Sequence, residues 1–244
     1  GQGRLFPMAL MPWWDIDASV AEAERCAAMG LRGINMTSDP QQAGAPDLGC
    51  KDWDPFWEVC EGLGLPVNFH IGASQSTFSW FGDSPWPSLD AERKLGLGSS
   101  MMYLSNARVI SNLIFSGLLE RHPQLQFVSV ESGIGWLPFL LEAIEHQFHE
   151  TSAHGFPDLS LTPLEYFQRN LYACYWFEKR DIRHTIDILG ADRILFETDF
   201  PHPTCLFPES MDAAAPGLAT LTEEQQRLVL QDNAASLYGI SLPG

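Results

Sequence analysis

Residues 127–148 read FVSVESGIGWLPFLLEAIEHQF, and this stretch decides the fold class. Its first part continues an apolar run that starts at Gln124 and has the length and composition of a buried strand. Glu131 ends the run, and from Ile134 onward apolar residues recur at helical spacing. A strand followed at once by a polar turn and a helix is the repeating unit of parallel α/β folds.

The same unit recurs along the whole chain. Six apolar runs predict strands over residues 4–11, 31–36, 65–71, 124–130, 170–177 and 193–197. Helices are predicted over residues 18–29 (with Asp17 as the N-cap), 52–63, 103–122, 134–148, 181–189 and 222–238. Six such units fit a doubly wound open sheet or a (β/α) barrel. No composition shift marks an internal boundary, so we expect one domain over residues 1–244.

One connection is much longer than the others. Residues 72–99 are rich in Gly, Ser, Pro and Trp, and they follow the third predicted strand. Connections of this length in α/β enzymes are usually functional, so we predict a long active-site loop here. Trp80 in this loop, and Trp136 after the fourth strand, are candidates to line an apolar or aromatic substrate.

The charge balance excludes several classes of partner. The chain carries 14 Lys and Arg against 31 Asp and Glu, a formal net charge of -17. Such a surface repels phosphate backbones and anionic lipids, so we expect neither a nucleic acid nor a membrane as a partner. The five cysteines form no C-x-x-C pair and no dense framework, which favours reduced thiols and a cytoplasmic location. The partner we expect is a small-molecule substrate, with a homo-oligomer also possible.

Polar residues follow three of the apolar runs. His70, Glu131 and Asp199 stand where the third, fourth and sixth runs end. Active sites of parallel α/β folds lie beyond the carboxyl ends of the strands, so these side chains would converge. Imidazole and carboxylate groups are ligands for Zn²⁺, Mn²⁺ or a similar ion.

Each of these residues also has a structural interpretation. His70 could be a hydrogen-bonded structural residue, Glu131 could cap the following helix, and Asp199 could shape a turn. His202, in a loop between two prolines, could bind substrate or simply be exposed. The glycines after Glu131 superficially match a dinucleotide-binding turn, but the third glycine is missing, and we reject that interpretation.

Four motifs together resemble a known family. The runs GLRGINMTSDP, LPVNFHIGAS, FVSVESGIGWLPFLLEAIEHQF and RILFETDFPHP are similar to the amidohydrolase-related metal-dependent TIM-barrel enzymes. The matching branch contains aminocarboxymuconate-semialdehyde decarboxylase and the resorcylate-type decarboxylases. The resemblance implies an eight-stranded (β/α) barrel in which His70 and Asp199 are metal ligands, on the fifth and eighth strands. Asp199 would also transfer protons, with Glu131 as a second catalytic residue.

The chain departs from the family pattern at two points. Glu131 stands where the decarboxylases carry a histidine, which changes the charge and the usual pKa at that position. The H-x-H pair that supplies metal ligands on the first strand is absent from the sequence. Matching the six runs to the family makes them strands three to eight, so we expect an N-terminally truncated barrel that lacks its first two strands.

The leading functional expectation is a metal-dependent hydrolase acting on a small carboxylated or aromatic substrate through metal-activated water. The first alternative is a non-oxidative, metal-dependent decarboxylase of an aromatic or unsaturated acid. The second is a catalytically inactive barrel fragment that acts as a binding module. The expected cofactor is one divalent ion, Zn²⁺ first and Mn²⁺ second.

Overall fold

The protein is described by a computed structural model that covers residues 4–81, 86–152 and 154–242. Two units make up the chain, Gly1–Leu125 and Gln126–Gly244. Each contains three parallel strands joined by helical connections among its described residues. No helix in the described part of the chain is long and apolar enough to cross a membrane.

The first unit is built on strands β1 (Ala9–Leu10), β2 (Ile34–Asn35) and β3 (Val67–His70). Ala9 pairs with Ile34, and Ile34 pairs with Val67, in parallel register. Its α-helices are α1 (Ile16–Ala28), α2 (Asp54–Leu63), α3 (Ala91–Met102), α4 (Asn106–Phe115) and α5 (Leu118–Arg121). In the described parts of this unit, the connections contain the 3₁₀ helices Pro40–Ala43, Lys51–Trp53 and Gln75–Trp80.

Helix α1 shows how the sequence sets an element's boundaries. The predicted N-cap, Asp17, was wrong, because the Asp15 carboxylate accepts the Ala18 N–H at 2.9 Å and Asp17 lies in the first turn. Gly30, with φ of 87°, follows the helix in the left-handed conformation that glycine adopts readily. The buried residues Ser19, Ala23 and Cys26 are spaced by four and three positions, so they form one helix face.

The second unit is built on strands β4 (Phe127–Val130), β5 (Leu171–Tyr175) and β6 (Ile194–Phe196). Phe127 pairs with Leu171, and Ala173 pairs with Ile194. Its α-helices are α6 (Leu137–Glu150), α7 (Pro163–Asn170), α8 (Ile182–Leu189), α9 (Ser210–Leu218), α10 (Glu223–Arg227) and α11 (Asn233–Leu237). A π-helical segment, Leu228–Asp232, joins α10 to α11, so the predicted helix over 222–238 has three parts.

The segment 72–99 is more ordered than the prediction of one long loop implies. It contains the 3₁₀ helix Gln75–Trp80 and the beginning of α3 at Ala91, while residues 82–85 lie outside the described part of the chain. The predicted helix over 103–122 is divided at Gly117, which has φ of 67°. The single-domain organisation and the active-site role of this segment stay predictions.

The core beneath β4–β6 fixes the strand ends that carry the polar residues. Val128, Cys174 and Leu195 are buried at its centre, and Leu237 of α11 and the next residue, Tyr238, pack against them. Phe127, Val128 and Ser129 are consecutive and all buried, so both faces of β4 are covered. A strand covered on both faces is typical of a parallel α/β sheet.

We predict that Leu195→Ala lowers the free energy of unfolding by about 2–4 kcal/mol, because it leaves a cavity beneath β6. Leu195 is 4% exposed, whereas Leu10, the matched control, is 72% exposed. Leu10→Ala should therefore change stability by about 0.5 kcal/mol or less. Urea unfolding of both variants checks the prediction, and equal losses would contradict the assignment of the core.

Candidate metal centre

Three of the predicted site residues meet in the second unit. Glu131 directly follows β4, Asp199 comes three residues after the end of β6, and His202 lies one short turn further on. Ligand atoms of these three side chains all lie within 4.8 Å of one another. Glu131 and Asp199 were predicted as catalytic residues and His202 as a substrate-binding residue, and the structure groups all three.

Glu131 is held in an unusual backbone conformation. Its φ is 63°, in the left-handed region that non-glycine residues rarely adopt, and its relative exposure is 8%. Its N–H donates to Oε2 of Glu197 at 2.9 Å. Such strained residues cluster at functional sites, where the surrounding structure enforces them.

Asp199 and His202 are joined by a tight turn. Asp199 has φ of 59°, and its carbonyl accepts the His202 N–H at 2.8 Å. The turn brings His202 Nδ1 to 2.9 Å from Asp199 Oδ2 and to 2.8 Å from the Thr204 hydroxyl. The Asp199 side chain is 14% exposed and that of His202 is 55% exposed. The pair therefore connects a largely buried carboxylate with an imidazole that solvent can reach.

The chemistry of this group fits a divalent cation. Two carboxylates and one imidazole are ligands that suit Zn²⁺ and Mn²⁺, and catalytic zinc sites use three protein ligands and leave one position open. Without a cation, two carboxylates at this separation repel each other. A metal role for these residues is thus consistent with both their donor atoms and their charge.

Glu197 is a third acidic group at this site, and the sequence did not mark it as a site residue. Its pKa is raised to about 8. Burial is the largest cause, hydrogen bonds from the Glu131 N–H and the Cys174 thiol lower the pKa, and the Glu131 and Asp199 charges raise it. Its Oε1 is buried and, among the described residues, has no hydrogen-bond partner. At neutral pH, without a cation, this carboxyl is therefore mostly protonated. The only sequence signal was an acidic residue closing the apolar run ILF.

His70, the predicted metal ligand of the first unit, ends β3 with its residue exposed. Its Nδ1 accepts the Gly72 N–H at 2.9 Å. From this bond we assign the proton of the neutral ring to Nε2. Neither ring nitrogen then offers a lone pair to a metal, so ligation would require the Gly72 bond to break. The ligand role of His70 stays a prediction.

The two predicted substrate-binding tryptophans lie in different units. Trp136 immediately precedes α6, and its indole N–H donates to the Ser132 carbonyl at 2.7 Å. Trp80 ends a 3₁₀ helix of the first unit and stacks on Trp86, with ring centroids 6.2 Å apart. Trp80 also lines a cavity of about 250 Å³ together with Arg108. Their contact with substrate stays a prediction.

A second cavity of the first unit, of about 300 Å³, opens beyond its strand ends. Trp13, Thr37, Asp39 and Phe78 are among its lining residues. Burial raises the pKa of Asp39, but hydrogen bonds from Ser74 and Ser76 and the charge of Arg108 outweigh it, so the net pKa is lowered. Sequence reasoning did not single out Asp39, although it lies in the TSDP motif.

Comparison with known proteins supplies the family context. The family model described as Amidohydrolase matches residues 2–240. Gamma-resorcylate decarboxylase of Rhizobium radiobacter is 26% identical, over 96% of this chain and 70% of its own length. The enzyme of the same name from Polaromonas is 27% identical, over 98% of this chain and 71% of its own length.

Solved structures share the fold. An amidohydrolase from Mycobacterium avium subsp. paratuberculosis superposes with a TM-score of 0.76 at 24% identity, covering 96% of this chain and 58% of that one. A 5-carboxyvanillate decarboxylase from Sphingomonas paucimobilis gives 0.76 at 23% identity, covering 98% and 68%. The chain thus spans little more than half of the mycobacterial protein and about two thirds of the decarboxylase.

We predict that the protein binds a divalent ion and that Glu131→Gln or Asp199→Asn weakens binding by about 100-fold or more. Each change removes one negative ligand and keeps the side-chain shape. His202→Ala should cost less, since that side chain is more than half exposed. Calorimetric titration with Mn²⁺ and Zn²⁺ is the measurement.

Asp158→Asn is the matched control for that titration. Asp158 is an exposed aspartate of the same unit, and its change removes the same charge. Affinities of the two ligand variants that match the Asp158→Asn value would show that the cluster does not hold the ion.

We predict an unusual pH dependence of stability from Glu197. Because its pKa of about 8 in the folded protein lies above the ordinary value of 4.5, its contribution to stability is complete below pH 4.5 and is lost as the pH rises toward 8. The slope from this one group is at most about 1.4 kcal/mol per pH unit. Glu197→Gln should reduce this slope. The free energy of unfolding of the variant should therefore increase relative to that of the wild type between pH 5 and pH 8.

Urea unfolding with a chelator present, at several values between pH 5 and pH 8, is the test. Parallel stability curves for the wild type and Glu197→Gln would refute the raised pKa.

Proposed function

This chain belongs to the amidohydrolase family, and we propose that it is a metal-dependent decarboxylase of a small aromatic carboxylic acid. The family resemblance expected from the sequence motifs is confirmed by the match over residues 2–240. The expected fold class, parallel α/β of the (β/α)8-barrel type, is confirmed by the solved structures. The observation that carries the proposal is the grouping of Glu131, Asp199 and His202 within 4.8 Å.

Decarboxylation is better supported than the hydrolysis that we first expected. The curated relatives from Rhizobium and Polaromonas both act on gamma-resorcylate, by their names. A structural neighbour was solved in complex with 2,6-dihydroxybenzoate. These proteins therefore favour the decarboxylase alternative, and a benzoate with ring hydroxyl groups is the substrate class we propose.

The cation we propose is Mn²⁺ or Zn²⁺. Zn²⁺ was the first expectation from the ligand types, while a related dihydroxybenzoic acid decarboxylase from Polaromonas was solved with bound manganese. Bound at the site, the ion supplies a Lewis acid that polarises substrate oxygens. A cation also offsets the net charge of -17, which otherwise repels an anionic substrate.

Glu131 and Asp199 hold the cation by their carboxylate oxygens in this proposal. We propose that the catalytic proton lies between Asp199 Oδ2 and His202 Nδ1, which are 2.9 Å apart. When the bond between the aromatic ring of the substrate and its carboxylate breaks, CO₂ leaves. The electron pair of that bond stays on the ring carbon of the substrate. The shared proton moves to that carbon and forms the new C–H bond, so nothing is oxidised or reduced.

His202 restores the lost proton. Its side chain is 55% exposed, so water can reprotonate it, and the Thr204 hydroxyl at 2.8 Å keeps the ring in place. This arrangement lets a largely buried carboxylate exchange protons with solvent. In this proposal Glu131 is a metal ligand, Asp199 is a metal ligand and the proton donor, and His202 is the proton relay.

We predict that the metal-loaded protein releases CO₂ from 2,6-dihydroxybenzoate or a related hydroxybenzoate and forms the matching phenol. Asp199→Asn should lower kcat by about 100-fold or more, because it removes both a ligand and the proton donor. Liquid chromatography of the phenol, with Asp158→Asn as the control, is the measurement.

Two other outcomes would overturn this function. Turnover of esters or amides without CO₂ release would establish the hydrolase that we first expected. If the wild type neither binds metal nor turns over any benzoate, the result would instead favour the inactive binding module.

A further inference from the structure

The turn that carries Glu131 needs external support. We define the Glu131 turn as residues 131–135, between the end of β4 and the start of α6. Two of its residues have left-handed backbone, Glu131 with φ of 63° and Gly133 with φ of 67°. The conformation at Glu131 costs on the order of 1–3 kcal/mol for a non-glycine residue, so neighbouring groups must stabilise it.

Side-chain hydrogen bonds within the segment hold the middle of the turn. The indole N–H of Trp136 donates to the Ser132 carbonyl at 2.7 Å, and the Ser132 hydroxyl lies 2.6 Å from that of Ser129. Neither bond reaches the N–H groups at the two ends of the turn. Those groups are bound by carboxyls from two other strand ends.

Glu197, which follows β6, binds the first end. Its Oε2 accepts the N–H of Glu131 at 2.9 Å. This bond acts on the residue whose carboxylate belongs to the candidate metal centre.

Glu178, which follows β5, binds the second end. Its Oε1 accepts the N–H of Ile134 at 2.6 Å and that of Gly135 at 2.8 Å. A Cβ at Gly133 would lie 2.6 Å from the same oxygen, so the close approach of the carboxylate requires glycine there. These N–H groups immediately precede α6, where the helix dipole also favours a negative charge.

The position of Glu178 is fixed by contacts with residues at the end of β5 and next to it. The hydroxyl of Tyr175, a residue with 0% exposure, lies 3.1 Å from the Glu178 carbonyl and 3.0 Å from the Ala214 carbonyl. The Trp176 N–H adds a longer contact of 3.4 Å to Oε2 of Glu178. The carboxylate of Glu178 is therefore presented to the Glu131 turn by a buried residue of β5.

We propose that Glu178 is a positioning residue for the metal centre, which it supports by clamping the far end of the Glu131 turn. Without it the N–H groups of Ile134 and Gly135 lose their carboxylate acceptor, and the Glu131 carboxylate is held less firmly toward Asp199. This inference rests on the proposed function, because it assigns Glu131 to the metal. It differs from a plain helix cap, which would stabilise α6 without affecting the site.

Three variants separate these roles. Glu178→Ala removes the clamp, whereas Glu178→Gln keeps an oxygen that can accept both N–H groups. Leu141→Ala, in the buried face of α6, destabilises the same helix without touching the turn. Each variant is measured for Mn²⁺ affinity by calorimetry, for stability by urea unfolding, and for amide hydrogen exchange at Ile134 and Gly135 in the metal-free protein.

The clamp predicts a specific pattern. Glu178→Ala should weaken Mn²⁺ binding by about 10- to 100-fold, the range typical of residues that orient metal ligands. It should also accelerate exchange at Ile134 and Gly135. Glu178→Gln should recover most of the affinity, and Leu141→Ala should lower the urea midpoint while leaving the affinity within about twofold of wild type.

An Mn²⁺ affinity of Glu178→Ala that equals that of Leu141→Ala would overturn the positioning role. If the wild type binds no Mn²⁺, the proposed function fails. Hydrogen exchange then tests the clamp by itself, and unchanged exchange in Glu178→Ala would overturn it independently of the metal.

Discussion

Repulsion among three carboxyl groups is the constraint on which the site depends. Glu131, Glu197 and Asp199 lie at the ends of β4 and β6, and ligand atoms of the first and last are within 4.8 Å. Two unit charges at that separation repel by about 3 kcal/mol at an effective dielectric constant of 20. The fold brings these groups together only because several other interactions reduce the repulsion.

The electrostatic repulsion is lowered in a different way at each carboxyl group. Glu197 keeps its proton because its pKa is raised to about 8, chiefly by burial, so it adds little negative charge near neutral pH. Asp199 faces His202 and the Thr204 hydroxyl. Glu131 is held through its backbone N–H, which donates to Glu197. A divalent cation between the Glu131 and Asp199 carboxylates would offset their mutual repulsion, which links the electrostatics to the proposed chemistry.

Much of the fold could be predicted from the sequence, because each strand is a short apolar run that ends at a polar residue. The observed strands are shorter than predicted, as with the run over 4–11, of which only Ala9–Leu10 pairs with a neighbour. Pairing depends on a partner strand, which periodicity cannot reveal. Helices α3, α7 and α9 were missed, although the capping box of Thr162 and Glu165 marked α7 clearly.

The candidate site was predictable only in part. Glu131 and Asp199 stood out because they follow apolar runs, and structure groups them with His202. Glu197 and Glu178 did not stand out, since their roles come from backbone N–H groups on a segment 66 and 44 residues away in sequence. Such long-range partners leave no local pattern. The tautomer of His70 is equally invisible in sequence, because it follows from the position of one backbone N–H.

Anomalous X-ray diffraction from crystals grown with Zn²⁺ would locate the ion directly. We expect a single strong peak within about 2.2 Å of carboxylate oxygens of both Glu131 and Asp199. Anomalous peaks that lie near neither residue would contradict this metal centre. The absence of any peak at a zinc concentration that saturates the protein in solution would also contradict it.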